Sequence, residues 1–204
     1  MFREQLAHLI DKADDMKVCG HADNIRDGLA LIKKAQPDIV IVDITLRGSS
    51  GLELLKDLRA HGITVLALVL SMHDESLYAE RALRAGANGY IMKQVATERV
   101  LEAIRHIRGG EIYVSENIAR RLLQQIVNTT TVRKSPMEAL TDRELTVFRL
   151  IGKGRATREI ADDLHISVKT VESYQAHIKE KLALKNAREL VQHAFQWMIR
   201  EDGP

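Results

Sequence analysis

A single cysteine, Cys19, stands among 204 residues, which excludes an internal disulfide and points to a reducing compartment, with Cys19 read as a small core side chain. The longest purely apolar run, Val65 to Leu70, is six residues, against the roughly 20 a bilayer-crossing helix needs, so no membrane partner is expected. The opening decapeptide mixes Arg3, Glu4, Gln5 and His8 with apolar residues and so lacks the apolar centre of a secretory signal; the expected location is the cytoplasm. Thirty Lys and Arg against 28 Asp and Glu leave +2, too small a surplus to indicate nucleic acid by itself. Low-complexity tracts and internal repeats are missing, and the eight histidines are scattered without ligand spacing, so no zinc site is expected. What remains is an ordinary globular composition, 45% hydrophobic and 28% charged, in a chain longer than one typical domain of about 100–150 residues.

Two β-branched apolar runs bounded by polar residues, Asp38 to Asp43 and Thr64 to Ser71, have the length and content of parallel strands buried on both faces. Shorter runs at Met16 to Gly20 and Gly89 to Met92 fit two further strands. Helical spacing fills the gaps at Phe2 to Asp14, Ile25 to Ala35, Gly51 to Ala60, Leu77 to Ala85 and Thr97 to Ile107. This alternation predicts a doubly wound α/β domain over residues 1–110. A connecting helix, Ser115 to Val127, and a polar linker containing Asn128 to Thr131 and Lys134 to Pro136 make up residues 111–138. Residues 139–204 carry no strand signal. Thr141-Asp-Arg-Glu144 has the pattern of a capping box and starts a helix ending near Gly152; further helices follow at Thr157 to Leu164, Val168 to Leu182 and Ala187 to Ile199.

In a parallel sheet the residues following the strand C-termini converge on one crevice. Asp43, Ser71 and Lys93 occupy those positions, and carboxylate, hydroxyl and ammonium are the groups a phosphoryl-accepting site needs: nucleophile, hydrogen-bond donor and cation. With Val42-Asp-Ile-Thr-Leu-Arg-Gly-Ser-Ser-Gly51, Leu70-Ser-Met72 and Ala85-Gly-Ala-Asn-Gly-Tyr-Ile-Met-Lys93, the first half of the chain resembles the flavodoxin-like receiver domain of two-component response regulators. The resemblance implies that Asp43 accepts a phosphoryl group from a sensor histidine kinase, that Ser71 and Lys93 bind it, and that Tyr90 is an aromatic switch beside it.

Two departures qualify that likeness. Receivers begin with a strand ending in two acidic residues that hold Mg²⁺, whereas here the residues from Met1 to Ile10 already look like the first helix, leaving Asp43 and Thr45 as an incomplete Mg²⁺ site. Asp11, Asp14 and Asp15 lie at the far end of that helix and are poor substitutes. The receiver is therefore expected to be incomplete at its N-terminus and to phosphorylate poorly or not at all. Either residues precede this sequence, or the flanking strands close into a four-stranded sheet, or a partner covers the open edge. The second departure is Arg47, where the family usually has proline.

Toward the C-terminus, Thr157 to Leu164, a break at His165-Ile166, and Ser167 to Tyr174 read as helix, turn, helix. Ser167 is the expected N-cap, and Val171, Tyr174, Ile178 and Leu182 the inward face. Leu140-Thr-Asp-Arg-Glu144, Glu159-Ile-Ala161, Ile166-Ser-Val-Lys-Thr-Val-Glu172 and Lys181-Leu182 make residues 140–197 similar to the LuxR-type domain of NarL/FixJ regulators. The similarity implies double-stranded DNA as partner, phosphate contacts from Lys169, Thr170 and Lys181, and base-edge contacts from Glu172, Ser173, Ala176 and His177. It further implies a homodimer paired through the last helix. Tyr174 stands where the family more often has His. The segment 139–204 holds 11 basic and 10 acidic residues, so placement rather than net charge carries this reading. The chain reads as a non-enzymatic transcriptional regulator; the alternatives are a phosphorylation-independent regulator with a degenerate receiver and, remotely, an aspartate-dependent phosphohydrolase, against which Thr45 stands where the second acid belongs.

Overall fold

The computed structural model describes residues 2–46, 49–72, 75–127 and 136–201. Arg47 and the linker residues 128–135 lie outside the described residues. Internal contacts divide the chain into two units, Met1–Gln124 and Gln125–Pro204.

The first unit opens with helices α1 (Phe2–Asp11) and α2 (Ile25–Ala35). Strand β1 (Ile39–Asp43) leads into a tight antiparallel pair, β2 (Thr45–Leu46) and β3 (Ser49–Ser50), and then helix α3 (Gly51–Ala60). Strand β4 (Leu66–Ser71), helix α4 (Glu75–Arg84), strand β5 (Gly89–Met92) and helix α5 (Lys93–Arg108) follow, and helix α6 (Glu116–Val127) begins in this unit and runs three residues past its boundary at Gln124. The main sheet is parallel with order β1-β4-β5. Central β4 alternates between two buried faces, which is why it reads as continuously apolar. Leu68 and Leu70 join Ile91 of β5, Ile10 of α1, and Val100, Ile104 and Ile107 of α5 in one core cluster.

The expected strand at Met16 to Gly20 does not form, and the sheet does not close to four strands. Its amides bond locally instead: Met16 N donates to Ala13 O (3.2 Å), and Val18 N to the Asp11 carboxylate (2.7 Å). A strand needs a neighbour's carbonyls, and none is offered there by any described residue. Met16 and Val18 still pack against the core, while Cys19 is exposed, correcting its assignment as a core side chain. For the same reason β1 is mostly half-buried rather than buried on both faces. Helix α5 starts four residues earlier than the periodicity predicts, at Lys93, because Met92 already has the extended conformation of an N-cap.

Helix α6 is fastened to the start of α4. Its N-terminal Ser115 hydroxyl donates to Glu75 (2.7 Å), and Arg121 donates to the Ser76 carbonyl (2.8 Å).

The second unit is helical: a 3-10 turn (Pro136–Ala139), then α7 (Asp142–Gly152), α8 (Thr157–Leu164), α9 (Val168–Lys181) and α10 (Ala187–Glu201). The capping box at α7 is present: Thr141 N donates to Glu144 Oε2 (2.7 Å), and Glu144 N to the Thr141 hydroxyl (3.3 Å). Ser167 caps α9, its hydroxyl accepting from Thr170 N at 3.0 Å. Leu145, Phe148, Ile160, Val171, Ile178, Leu190 and Ala194 fill the core. Gly152 allows α7 and α10 to meet; a Cβ there would lie 2.7 Å from the Ala194 carbonyl oxygen. No described helix is long and apolar enough to cross a membrane.

Candidate functional site

The register of the parallel sheet decides whether the three polar strand-end residues meet. Asp43 stands opposite Leu70, Ser71 opposite Met92, and Lys93 follows Met92, so all three leave the sheet at one rim. The Lys93 ammonium pairs with Asp43 Oδ2, while Asp43 Oδ1 accepts from Thr45 N at 3.0 Å. Ser71 is fully buried. Lys93 is the first residue of α5, a helix with no acidic residue in its first turn. A cation at a helix N-terminus faces the positive end of the macrodipole. That placement is unfavourable by local rules, and the Asp43 carboxylate compensates it, as is common where function overrides propensity.

The Phe2 ring of α1 stands 5.5 Å from the Lys93 ammonium, within cation–π range. No sequence spacing could reveal this contact, since it joins residues at opposite ends of the first unit. Tyr90 is 2% exposed, so its ring lies within the fold rather than half-exposed on a strand. The same α1 helix settles the carboxylates at its other end. Asp11 accepts from Val18 N, and Asp15 pairs with Arg105 through two bonds of 3.0 and 2.9 Å, which hold its carboxyl below the usual carboxylate range. Asp14 is exposed.

Mg²⁺ prefers octahedral oxygen ligands, commonly with more than one carboxylate or phosphate. Among the described residues there is no group of three His, Cys, Asp or Glu side chains able to hold a metal. Asp43 and Thr45 therefore do not complete a Mg²⁺ site by themselves.

In the second unit, α9 turns Val171 and Ile178 inward and leaves Lys169, Glu172, Ser173, Ala176 and His177 exposed on the other side. This is the outward face the helical spacing predicts. Thr170 is half-buried, and its hydroxyl shares a 2.7 Å hydrogen bond with the Ser167 hydroxyl. Tyr174 is half-buried. Lys181, expected from the resemblance as a phosphate contact, donates its ammonium to Glu144 Oε2 at 2.7 Å. Glu144 is 3% exposed, and His177 Nδ1 stands 3.8 Å from its other oxygen. Burial would raise the Glu144 pKa, but the Lys181 ammonium and the bonds from Thr141 outweigh it and hold the carboxyl below its ordinary range. The spacing that found the capping box gave no sign of this second partner, 37 residues away.

A carboxylate, a hydroxyl and an ammonium at one rim of a wound parallel sheet, followed by a helix-turn-helix, match one class: regulators in which a receiver domain precedes a DNA-binding domain. Family models agree. Residues 1–105 match the response regulator receiver domain, and residues 138–194 match bacterial regulatory proteins of the luxR family. The chain belongs to the two-component response regulators with a LuxR-type DNA-binding domain. It is 34% identical over 202 residues to the oxygen regulatory protein NreC of Staphylococcus carnosus (strain TM300), covering 95% of this chain and 92% of that protein. To the nitrate/nitrite response regulator protein homolog of Haemophilus influenzae it is 32% identical over 182 residues, covering 89% and 85%. Among solved structures, a LuxR family two-component response regulator from Aurantimonas sp. SI85-9A1 matches with TM-score 0.56 and 30% identity, over 61% of this chain and 89% of that one. RcsB from Salmonella enterica serovar Typhimurium, bound to a promoter with a phosphomimetic present, shares the fold at TM-score 0.63 and 21% identity, over 95% and 93%.

Proposed function

We propose that this regulator works in the cytoplasm, that Asp43 is its phosphoryl acceptor, and that the outward face of α9 reads DNA. The observation that carries the first part is the pairing of Asp43 with Lys93 at the rim where Ser71 also ends its strand. In the reaction, an Asp43 oxygen attacks the phosphorus of a phosphohistidine on a sensor kinase. The new O–P bond forms as the P–N bond breaks, and the imidazole leaves with the bonding electrons. Lys93 then exchanges a carboxylate partner for a phosphoryl oxygen, and the Ser71 hydroxyl donates to another. Receiver domains generally use Mg²⁺ for this step. Tyr90, buried on β5 beside the rim, is the residue through which the change in charge would alter the neighbouring surface.

On α9, Lys169 and Thr170 are the proposed phosphate contacts, and Glu172, Ser173, Ala176 and His177 the residues nearest base edges. Val191, Phe195 and Ile199 form an exposed apolar line at four-residue spacing along α10, which supports homodimerisation there and the reading of two half-sites.

A second reading is favoured by one observation: among the described residues, no group of three His, Cys, Asp or Glu side chains able to hold a metal includes Asp43. In it the receiver is controlled by a partner or by concentration rather than by phosphate. Phosphate-affinity electrophoresis after incubation with acetyl phosphate and Mg²⁺, on wild type and Asp43→Asn, separates the two. A shifted band lost in D43N supports the phosphorylated reading, and absence of a shifted band supports the second. Retention of the band in D43N overturns the assignment of Asp43.

A further inference from the structure

We infer that Lys181 and Glu144 form a latch that sets the angle of the DNA-reading helix, so that Lys181 acts on DNA affinity through position rather than through contact with a phosphate. This rests on the reading of α9 as the DNA-binding helix.

Glu144 sits in the first turn of α7, where the positive end of that helix favours a carboxylate, and its Oε2 already accepts from Thr141 N at 2.7 Å. Lys181 is the last residue of α9, where the negative helix end favours a cation. Their 2.7 Å contact thus joins the start of α7 to the end of α9 with both dipoles satisfied. It also supplies a close ammonium to a carboxylate that is almost fully buried, where an uncompensated charge is costly.

The apolar anchors Val171 and Ile178 hold α9 against the core, but side-chain packing alone tolerates a helix sliding or turning by a fraction of a residue. Directional bonds remove that freedom. Midway along α9, Gln175 donates to the Thr157 hydroxyl of α8 at 3.2 Å; at the C-terminal end Lys181 meets Glu144 of α7. Of these two bonds the Lys181 one is charged, and it lies one turn beyond His177 at the C-terminal end of α9, so a small tilt there moves Glu172, Ser173 and His177 relative to the groove. An ammonium committed to a buried carboxylate would have to abandon it to bind a phosphate, exchanging one charge-assisted bond for another while stranding Glu144.

The two roles differ in salt dependence. A phosphate contact adds about one unit to the slope of log affinity against log salt, and its removal lowers that slope. A latch leaves the slope alone. The test uses the full chain and a DNA duplex that wild type isolates from a randomised pool, at a temperature where circular dichroism shows each variant folded. Lys181→Met and Glu144→Gln are both expected to weaken binding on the order of tenfold with the salt slope unchanged, and the double variant to be no weaker than either single one. Lys181→Arg should bind as wild type.

A slope lower by about one in K181M identifies Lys181 as a phosphate ligand and overturns the inference. Wild-type affinity in the folded variants shows a purely structural pair and overturns it equally. If K181M does not fold, E144Q decides alone: freeing Lys181 tightens binding if it is a phosphate ligand and weakens it if it is a latch. Failure of wild type to select any duplex refutes the DNA-binding reading instead, and is thereby distinguished.

Discussion

Gly51→Ala tests how the rim that carries Asp43 is built. Gly51 is the first residue of α3, and its N–H donates to the Ile44 carbonyl at 2.8 Å. A Cβ at this position would lie 2.1 Å from the Asp43 carbonyl oxygen, 2.9 Å from the Asp43 carbonyl carbon and 2.7 Å from Val42 Cγ1. Ordinary contact needs at least about 3.2 Å to oxygen, so the shortfall is roughly 1 Å, and it is against backbone rather than a side chain free to move. Either α3 or the end of β1 must shift. Overpacking of this kind costs about 1–3 kcal/mol, and the strained Gly51–Ile44 bond adds about 1, while Ala over Gly in a helix returns up to about 1. A net loss of about 1–3 kcal/mol is expected in the first unit, Met1–Gln124. With an unfolding entropy near 2.1 cal/mol/K per residue, that unit should melt about 4–12 °C lower. The assay is thermal unfolding followed by far-ultraviolet circular dichroism and by tryptophan fluorescence. Trp197, the sole tryptophan, belongs to the second unit and should report an unshifted transition. Equal shifts in both signals, or a first transition within about 2 °C of wild type, would refute the reasoning.

Three further outcomes follow from other contacts. Ala183 ends the turn after α9 at φ +53°, in the left-handed region, so Ala183→Gly should stabilise the second unit by about 0.5–1 kcal/mol, read as a raised fluorescence Tm. The Glu144 carboxyl is held below its ordinary range, so the stability it contributes is present above the unfolded-state pKa and is lost as pH falls through the lowered folded value. Glu144→Gln should flatten that acid-side decline in urea titrations, and an unchanged pH profile would count against the pairing. Phe195→Glu places a charge in the centre of the exposed apolar line on α10 and should lower the affinity between DNA-bound subunits at least about tenfold without changing the monomer's melting temperature; sedimentation on a two-half-site duplex reads it.

Much of this was visible before any coordinates. Apolar runs bounded by Asp43 and Ser71 located β1 and β4, Thr141 and Ser167 marked the starts of α7 and α9, and the spacing of Val171 and Ile178 separated the inward from the outward face of α9. These signals are local, arising from a few neighbouring residues whose hydrogen bonds and burial repeat with the period of the element. The strand expected at Met16 to Gly20 failed because a strand is not a local object: its apolar content fits a sheet, but its amides bond to Ala13 and Asp11. Cys19 was misplaced with it.

By itself, then, the order of residues determined the two-part architecture, the placement of Asp43 and Ser71 at strand ends and the inward face of α9. Tertiary structure alone decided which partner each charge takes. Lys93 neutralises Asp43 from 50 residues away, Asp15 is claimed by Arg105 across 90, and Lys181 is the partner of a buried Glu144 across 37. Periodicity encodes which side of an element is wet, because water exclusion acts on each residue in turn. Ion pairing depends on two side chains arriving at the same few ångströms, and that distance is set only when the whole unit has folded.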